Sequence, residues 1–443
     1  MFAAARTTGI MRGKHLVTSD IFKPFRFGCS LRLFLIAATL AFFAASAPAQ
    51  EALRQSMAGE AAEETSRQAA SSVGYYNLML GPVAWRFSSG LEADYNDNVN
   101  LRPNNPDGDF IFRPSVNAQM VWPVTQNNSL NFELGAGYSF YVQHQELDQL
   151  YINPGSQLSF DIYIKDLKIN LHDRLSVTEN GYENPGLTNG ASIVRLENTA
   201  GVSGLWDLNE AEVDFGYDHV NYLSLVGNQV PDGSSENLFA SAGFRVRPEF
   251  LAGLEVGGGL FNSDPSASAP FPNASQWNVG LFCRAQISEY SNAEFHAGYT
   301  VYSPRATAVF TNASPVTGLY FELSLTHRLN QFVTYTLAAG RSTDYSNYGV
   351  PDEYYFVRFE PDWNIFRKFT LTTPVTWEHG TQLNGVSNSN LTFDQINAEI
   401  SLGCNLTQKL SATLSEQIVH ESANQINSVY TVNIVSLNFS YQF

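Results

Sequence analysis

The chain has 443 residues and a net charge of −17, with 15% charged and 13% aromatic residues. Its length suits one large barrel or two to three globular domains, and its charge content lies below the roughly 25% of soluble domains. The acidic balance excludes nucleic acid, or anionic lipid, as a partner held by charge alone. Phe (31) and Tyr (21) far outnumber Trp (6), and Asn, Ser, Thr and Gly fill much of the remainder, a strand- and turn-rich composition.

The first 49 residues read as a cleaved export signal. Lys23, Arg26 and Arg32 form a basic flank, and Leu33 to Ala45 is an apolar run. At 1.5 Å per residue that run is too short to cross a bilayer as a helix. Ala47-Pro48-Ala49 supplies the small residues of a cleavage site, so cleavage is expected near Ala49. Either Met1 or Met11 serves as a start. Removing residues 1–49 takes away six basic residues and one acid, which moves the net charge from −17 to −22. Cys283 and Cys404 remain, too few for a disulfide-held secreted fold.

Residues 50–82, with the polar stretch EALRQSMAGEAAEETSRQAASS at 51–72, read as a periplasmic linker or short helix. From Val83 to Phe443 one unit repeats: a strand of alternating character, a very short turn, another strand, a longer loop. The short turns are Thr125–Asn128, Lys165-Asp166, Asp207–Asn209, Pro248-Glu249, Glu289–Ser291, Asn330-Gln331, Arg367-Lys368 and Thr407-Gln408. Longer loops include Asn98–Gly108, Asn180–Ser192, Val226–Ser235, Asp264–Ala274 and Asn384–Asn390.

A transmembrane barrel sorts its connections in this way, with tight turns at the periplasmic end and long loops outside. A sandwich or propeller has no reason to do so. The expected fold is all-β: a closed, antiparallel, up-and-down transmembrane β-barrel of about eighteen strands, with sixteen as the alternative.

The two faces of each strand separate by parity. Leu130, Phe132, Leu134, Ala136, Tyr138 and Phe140 form one face, with Asn131, Glu133, Gly135, Gly137 and Ser139 on the other. Ala211, Val213, Phe215 and Tyr217 oppose Glu212, Asp214, Gly216 and Asp218 in the same manner. Phe369, Leu371, Thr373, Val375 and Trp377 make a further outward row. Trp85, Trp122, Trp206, Trp363, Phe366 and Phe369 gather near short turns, as an interfacial girdle would. Four positions break the pattern. Asp173 and Glu416 fall on apolar parity, and Phe393 and Ile396 are out of phase, which suggests a bulge.

The last strand alternates most cleanly. Val435, Leu437, Phe439, Tyr441 and Phe443 are outward, and Ser436, Asn438, Ser440 and Gln442 inward. It resembles the C-terminal strand of bacterial outer-membrane proteins, which implies that Phe439, Tyr441 and Phe443 serve as an assembly signal. The segment Leu80-Gly81-Pro82-Val83 through Tyr95-Asn96-Asp97-Asn98-Val99, with its YxDN ending, resembles the outer-membrane family called β-barrel porin type 2. That resemblance implies a barrel and a passive pore. Some relatives accompany exopolysaccharide export, and the family brings no established catalytic residues.

A barrel this wide leaves room for a water-filled lumen. The charges on inward parity are then the pore-lining candidates. The basic ones are Arg86, Arg113, Lys168, Arg195, Arg245, Arg247, Arg284, Arg341 and Arg358. The acidic ones are Glu92, Asp94, Glu133, Asp161, Glu212, Asp214, Asp218, Glu255, Glu294, Glu322, Glu360 and Asp362. Facing rows of opposite sign select ions or small polar solutes, and the same residues serve equally as a salt-bridge network that only holds the wall. The acid excess points to weak cation preference.

Enzymatic readings find little support. The eight His residues form no HExxH or similar metal spacing, and His172, Asp173 and Arg174 alternate between faces. No cofactor, metal or catalytic group is expected. The function expected is passive diffusion of ions or small hydrophilic solutes across the outer membrane. The alternative is a non-conducting or export-associated barrel serving exopolysaccharide secretion or envelope structure. Expected partners are outer-membrane lipid and lipopolysaccharide and the barrel-assembly machinery. Homo-oligomerisation, the solute and an inward-folded plugging loop are left open at this level.

Overall fold

The computed structural model describes residues 76–178, 194–225, 232–264, 273–305, 315–345, 351–366, 368–382, 390–424 and 429–443. The expected signal segment and most of the expected linker lie outside these residues. So do Arg367 and the loop Asn180–Ser192.

Alternating apolar and polar side chains favour extended backbone with two distinct faces, and the described chain is almost entirely strand. It runs through β1 (Leu78–Leu80), β2 (Val83–Asn96), β3 (Asp109–Pro123), β4 (Ser129–Tyr141), β5 (Gln149–Ile152), β6 (Gln157–Ile164) and β7 (Leu167–Thr178). Next come β8 (Arg195–Asp207), β9 (Ala211–Ser224), β10 (Gly233–Arg247), β11 (Phe250–Ser263), β12 (Ala274–Ser288), β13 (Ser291–Pro304) and β14 (Val316–Arg328). The chain ends with β15 (Val333–Tyr345), β16 (Pro351–Ile365), β17 (Phe369–Thr372), β18 (Val375–Gln382), β19 (Leu391–Asn405), β20 (Leu410–Ala423) and β21 (Tyr430–Gln442). No helix of the described residues is long and apolar enough to cross a membrane.

Each strand pairs antiparallel with its neighbours in sequence, and β21 returns to pair with β2 from Ser88↔Gln442 to Asn96↔Ile434. The sheet is therefore closed. β5 and β6 share one position against β4, and β17 and β18 share one between β16 and β19. β1 lies against β2 at Leu78↔Trp85 and Leu80↔Val83, in line with the end of β21. The wall thus has eighteen staves. The eight short turns all fall at one end. Residues 76–82, expected with the linker, instead start the sheet, because Gly81 adopts the positive φ of 62° that a tight reversal requires.

The two split staves have local causes. Asn153-Pro154-Gly155 interrupts the first, and the hydroxyl of Ser156 takes over by accepting from Gly135 N at 3.0 Å. Pro374 interrupts the second because it has no N–H to donate; its carbonyl still accepts from Glu399 N at 2.9 Å.

The pairings fix which residues share a face. In β21 the odd positions Val435, Leu437, Phe439, Tyr441 and Phe443 are exposed, while Tyr430, Val432 and Ile434 are buried on the other parity. The outward row spans nine residues, roughly 27 Å of strand, which matches an apolar band about 25 Å tall once the strand tilts. The girdle residues Trp122, Trp206, Trp363, Phe366 and Phe369 are all exposed near the short-turn end. Cys283 and Cys404 pair with the outward rows of their neighbours and are free thiols.

The expected bulge at Phe393 and Ile396 is absent. β19 keeps one register against β18 and β20 through this stretch. Phe393 is buried on the interior parity and Ile396 exposed on the outer one, so the interior near the long-loop end accepts large apolar side chains. Register shifts occur instead at Arg245/Arg247 and Gln286/Ser288, beside short turns. Asp173 and Glu416 stay on the outward parity, in register.

Candidate functional site

The interior parity carries an ion-pair ladder along β8 to β14. Arg245 donates to Asp207 at 2.6 Å and to Glu212 at 2.9 Å. Arg284 donates to the other oxygen of Glu212 at 3.0 Å and to Glu294 at 2.8 Å. His296 continues it, with Nε2 3.1 Å from Glu294 and Nδ1 2.7 Å from Glu255. Tyr320 closes it by donating to Glu255 at 2.7 Å. Even spacing puts Glu212 on β9, Arg284 on β12, and Glu294 and His296 on β13 on one face. Antiparallel register then brings Arg284 opposite Glu294 and Phe282 opposite His296.

Two smaller groups share that face. Arg113 is bonded to Asp94, lies 3.2 Å from Glu92, and donates to the Ser139 hydroxyl at 3.3 Å. Asn438 of the last strand donates to Glu92 at 2.9 Å, which extends the group across the closing seam. On β6, β7 and β9, Lys168 pairs with Asp161 at 3.3 Å, and His172 lies 2.7 Å from Asp218. Asn170 bridges them by donating to Asp161 at 2.8 Å and meeting His172 at 2.9 Å. Charge-assisted bonds of this kind hold side chains in one geometry.

Most of the expected residues fall on the interior parity. Arg86 is there with no ion pair among the described residues, and Glu133 accepts from Gln119 at 2.8 Å. Arg195 sits over the Tyr222 ring at 4.0 Å and 3.3 Å from Glu197. Asp214, Glu322, Arg358, Glu360 and Asp362 share the parity, with Arg358 3.9 Å from Glu378. Glu360 and Asp362 are exposed on the β16 wall near the short-turn end.

Two expected residues do not fit that face. Arg341 stands opposite Phe321 and Tyr355, both exposed on the outward row, and pairs with Glu353 at 3.3 Å on that row. Parity counted from the wrong flank of β15 misplaces it. Arg247 lies beyond the register shift that follows Arg245, at the tight turn, and is exposed there.

Several interior groups escaped sequence reasoning. Asp109 accepts from Gln143 N and His144 N at 3.0 and 2.9 Å and meets His144 Nδ1 at 3.0 Å. Glu421 accepts from Gln395 at 3.0 Å and from Tyr430 at 3.2 Å. Glu378 and Glu399 stand on the β18 and β19 interior parity. The period-two pattern marks all four, but β19 and β20 mix apolar and acidic residues on the interior face and blur the signal.

The largest buried apolar residues of the interior gather toward the long loops, alongside buried charges such as Asp109 and Glu421. The long-loop half holds Phe261, Tyr302, Phe356, Leu391, Phe393, Val419, Tyr430 and Val432, all buried. The short-turn half carries the Asp207–Arg245 end of the ladder. A recess of ≈ 340 Å³ there is lined by Glu249, Leu251, Arg284, Gln286, Glu294 and Ser324. No group of three potential metal ligands occurs among the described residues.

No family model matches the chain, and no curated protein does. Among solved structures it is similar in outline to Pseudomonas aeruginosa OpdL, with 8% identity and a TM-score of 0.45, over 82% of this chain and 99% of that one. P. aeruginosa OccK2 (OpdF), solved in complex with glucuronate, has 10% identity and a TM-score of 0.48, over 82% and 99%. Acinetobacter baumannii OccAB3 has 11% identity and a TM-score of 0.44, over 81% and 99%.

Proposed function

We propose that this chain is an outer-membrane channel for passive diffusion of ions or small hydrophilic solutes, with weak preference for cations. One observation carries the reading: the closed eighteen-stave wall has chemically opposite faces, exposed apolar residues outside and ion-paired polar residues inside. In hydrocarbon every backbone polar group must pair internally, and a closed barrel does so. With strands 4.8 Å apart and tilted about 40°, a circular wall of eighteen has a radius of roughly 18 Å. The short turns then face the periplasm and the long loops the exterior.

The interior charges divide by role. The ladder from Asp207 to Tyr320 is paired throughout, and its members largely neutralise one another, which suits wall support. Glu360 and Asp362 on β16 have no ion pair among the described residues; Glu378 on β18, 3.9 Å from Arg358, and Glu399 on β19 follow. This acidic arc supports cation preference. Reversal potential across a planar bilayer under a salt gradient tests it: a potential of cation sign supports the proposal, and anion selectivity overturns it.

A second reading is a barrel that does not conduct, serving export or envelope structure. The burial of Tyr302, Phe393 and Tyr430 on the interior face near the long loops favours it. Steady single-channel conductance of refolded protein argues for the first reading, and silence for the second.

A further inference from the structure

The YxDN ending of the first long strand has a physical role that the pore-lining charges do not explain. Asp97 N donates to Asn433 O at 3.1 Å, and its carboxylate accepts from Asn433 N at 2.7 Å. Asn98 is 1% exposed. Its side-chain amide donates to Thr431 O at 2.9 Å and to Arg102 O at 3.0 Å, while its oxygen accepts from Arg102 N at 2.9 Å. One asparagine therefore ties the loop to the last strand and also folds the loop upon itself.

That fold sets Leu101 at φ 49°, a conformation rarely adopted by a residue of its bulk. Leu101 is nonetheless only 7% exposed, packed with Val419, Tyr430, Val432 and Ile434. Those four stand on the interior parity of β20 and β21. The loop thus turns into the mouth, not away from it. Val99 N to Asp107 O at 2.9 Å and Asn100 to the Asp107 carboxylate at 2.9 Å close its base. Gly108 completes it: a Cβ there would meet the Tyr95 hydroxyl at 3.1 Å and Asn96 O at 3.2 Å.

We propose that Asn98–Gly108 is a strap fixed inside the outer mouth, that Asp97 and Asn98 are its anchors, and that it sets the upper size of solute admitted. The size limit rests on the channel reading above; the strap itself does not. Burial of Leu101 against the wall offsets the cost of its backbone conformation, and the anchors hold it there without a covalent tie.

The test uses full-length protein with Cys29→Ala, Cys283→Ala and Cys404→Ala, refolded into lipid vesicles. Leu101→Cys is treated with a water-soluble maleimide, with Asn104→Cys as the exposed control. The strap predicts labelling at Leu101→Cys about tenfold slower than at the control, because burial withholds the thiolate from reagent. Adding Asn98→Ala brings the two rates together. Equal rates in the parent overturn the strap. In planar bilayers Asn98→Ala raises conductance about two-fold and admits larger neutral polyols, as release of a constriction requires. Unchanged conductance and size limit, with the strap intact by labelling, overturn its sieving role. A silent parent barrel overturns the channel reading, and the labelling rates then decide the strap by themselves.

Discussion

The side-chain amide of Asn77 pairs with the backbone of Phe87 as a strand residue would: it donates to Phe87 O at 2.8 Å and accepts from Phe87 N at 3.1 Å. Phe443 N also donates to Phe87 O, at 3.2 Å. Asn77 therefore bridges the gap between β1 and the end of β21 along β2. Asn77→Ala leaves the Phe87 peptide short of partners, a loss of about 1–3 kcal/mol where water is excluded. The heat at which the compact, folded band is lost on a gel should fall. An unchanged transition would mean that the amide contributes nothing to the seam.

Phe443 is exposed on the outward row, beside an apolar groove of ≈ 670 Å³ whose wall includes Leu78, Phe87, Val116, Ala118 and Leu134. Deleting it should reduce the amount of barrel inserted in cells while leaving the conductance of inserted molecules unchanged. Normal insertion of the truncated chain would show that this strand end is not needed for assembly.

Arg284 joins Glu212 and Glu294, so Arg284→Met leaves two interior carboxylates facing each other without their shared cation. Loss of charge-assisted bonds of this kind costs about 2 kcal/mol. The double change Arg284→Met with Glu294→Gln should recover part of the loss. Absence of recovery in urea unfolding would show that Arg284 acts through packing and not through the pair.

Glu360→Gln with Asp362→Asn removes two carboxylates from the acidic arc and disturbs no ion pair described in the barrel. Cation preference in reversal-potential measurements should weaken, with conductance changed less than about two-fold. Undiminished preference would place selectivity elsewhere on the wall.

Glu416 is exposed among Leu414 and Ile418 on its own strand and Ile400 and Val435 on its neighbours. A carboxylate in the lipid-facing band is unfavourable, by up to about 2 kcal/mol. Glu416→Leu should raise stability in lipid vesicles. A loss of stability would indicate that the carboxylate has a partner in the membrane.

The fold was readable from the sequence because its signals are local. Period-two alternation and the sorting of short and long connections give about eighteen staves, with sixteen left open, and the outward row of Val435 to Phe443 without knowledge of any distant contact. Phe443 and Trp122 reveal their places by strand parity alone. Parity failed at Arg247, where a register shift intervened, and at Arg341, a charged residue in unbroken register on the outward row of β15.

What no local pattern carries is the meeting of residues from separate strands. Arg284 beside Glu212, His296 beside Glu255 and Asn77 beside Phe87 depend on register, and register is set by every turn and bulge between them. The closing strand shows the division. Its alternation marks Val435 to Phe443 as lipid-facing from nine residues alone. Only closure of the sheet brings Asn433 to Asp97 and Thr431 to Asn98, more than 300 residues apart in the chain, because a hydrogen bond requires atoms to be near in space and not in sequence.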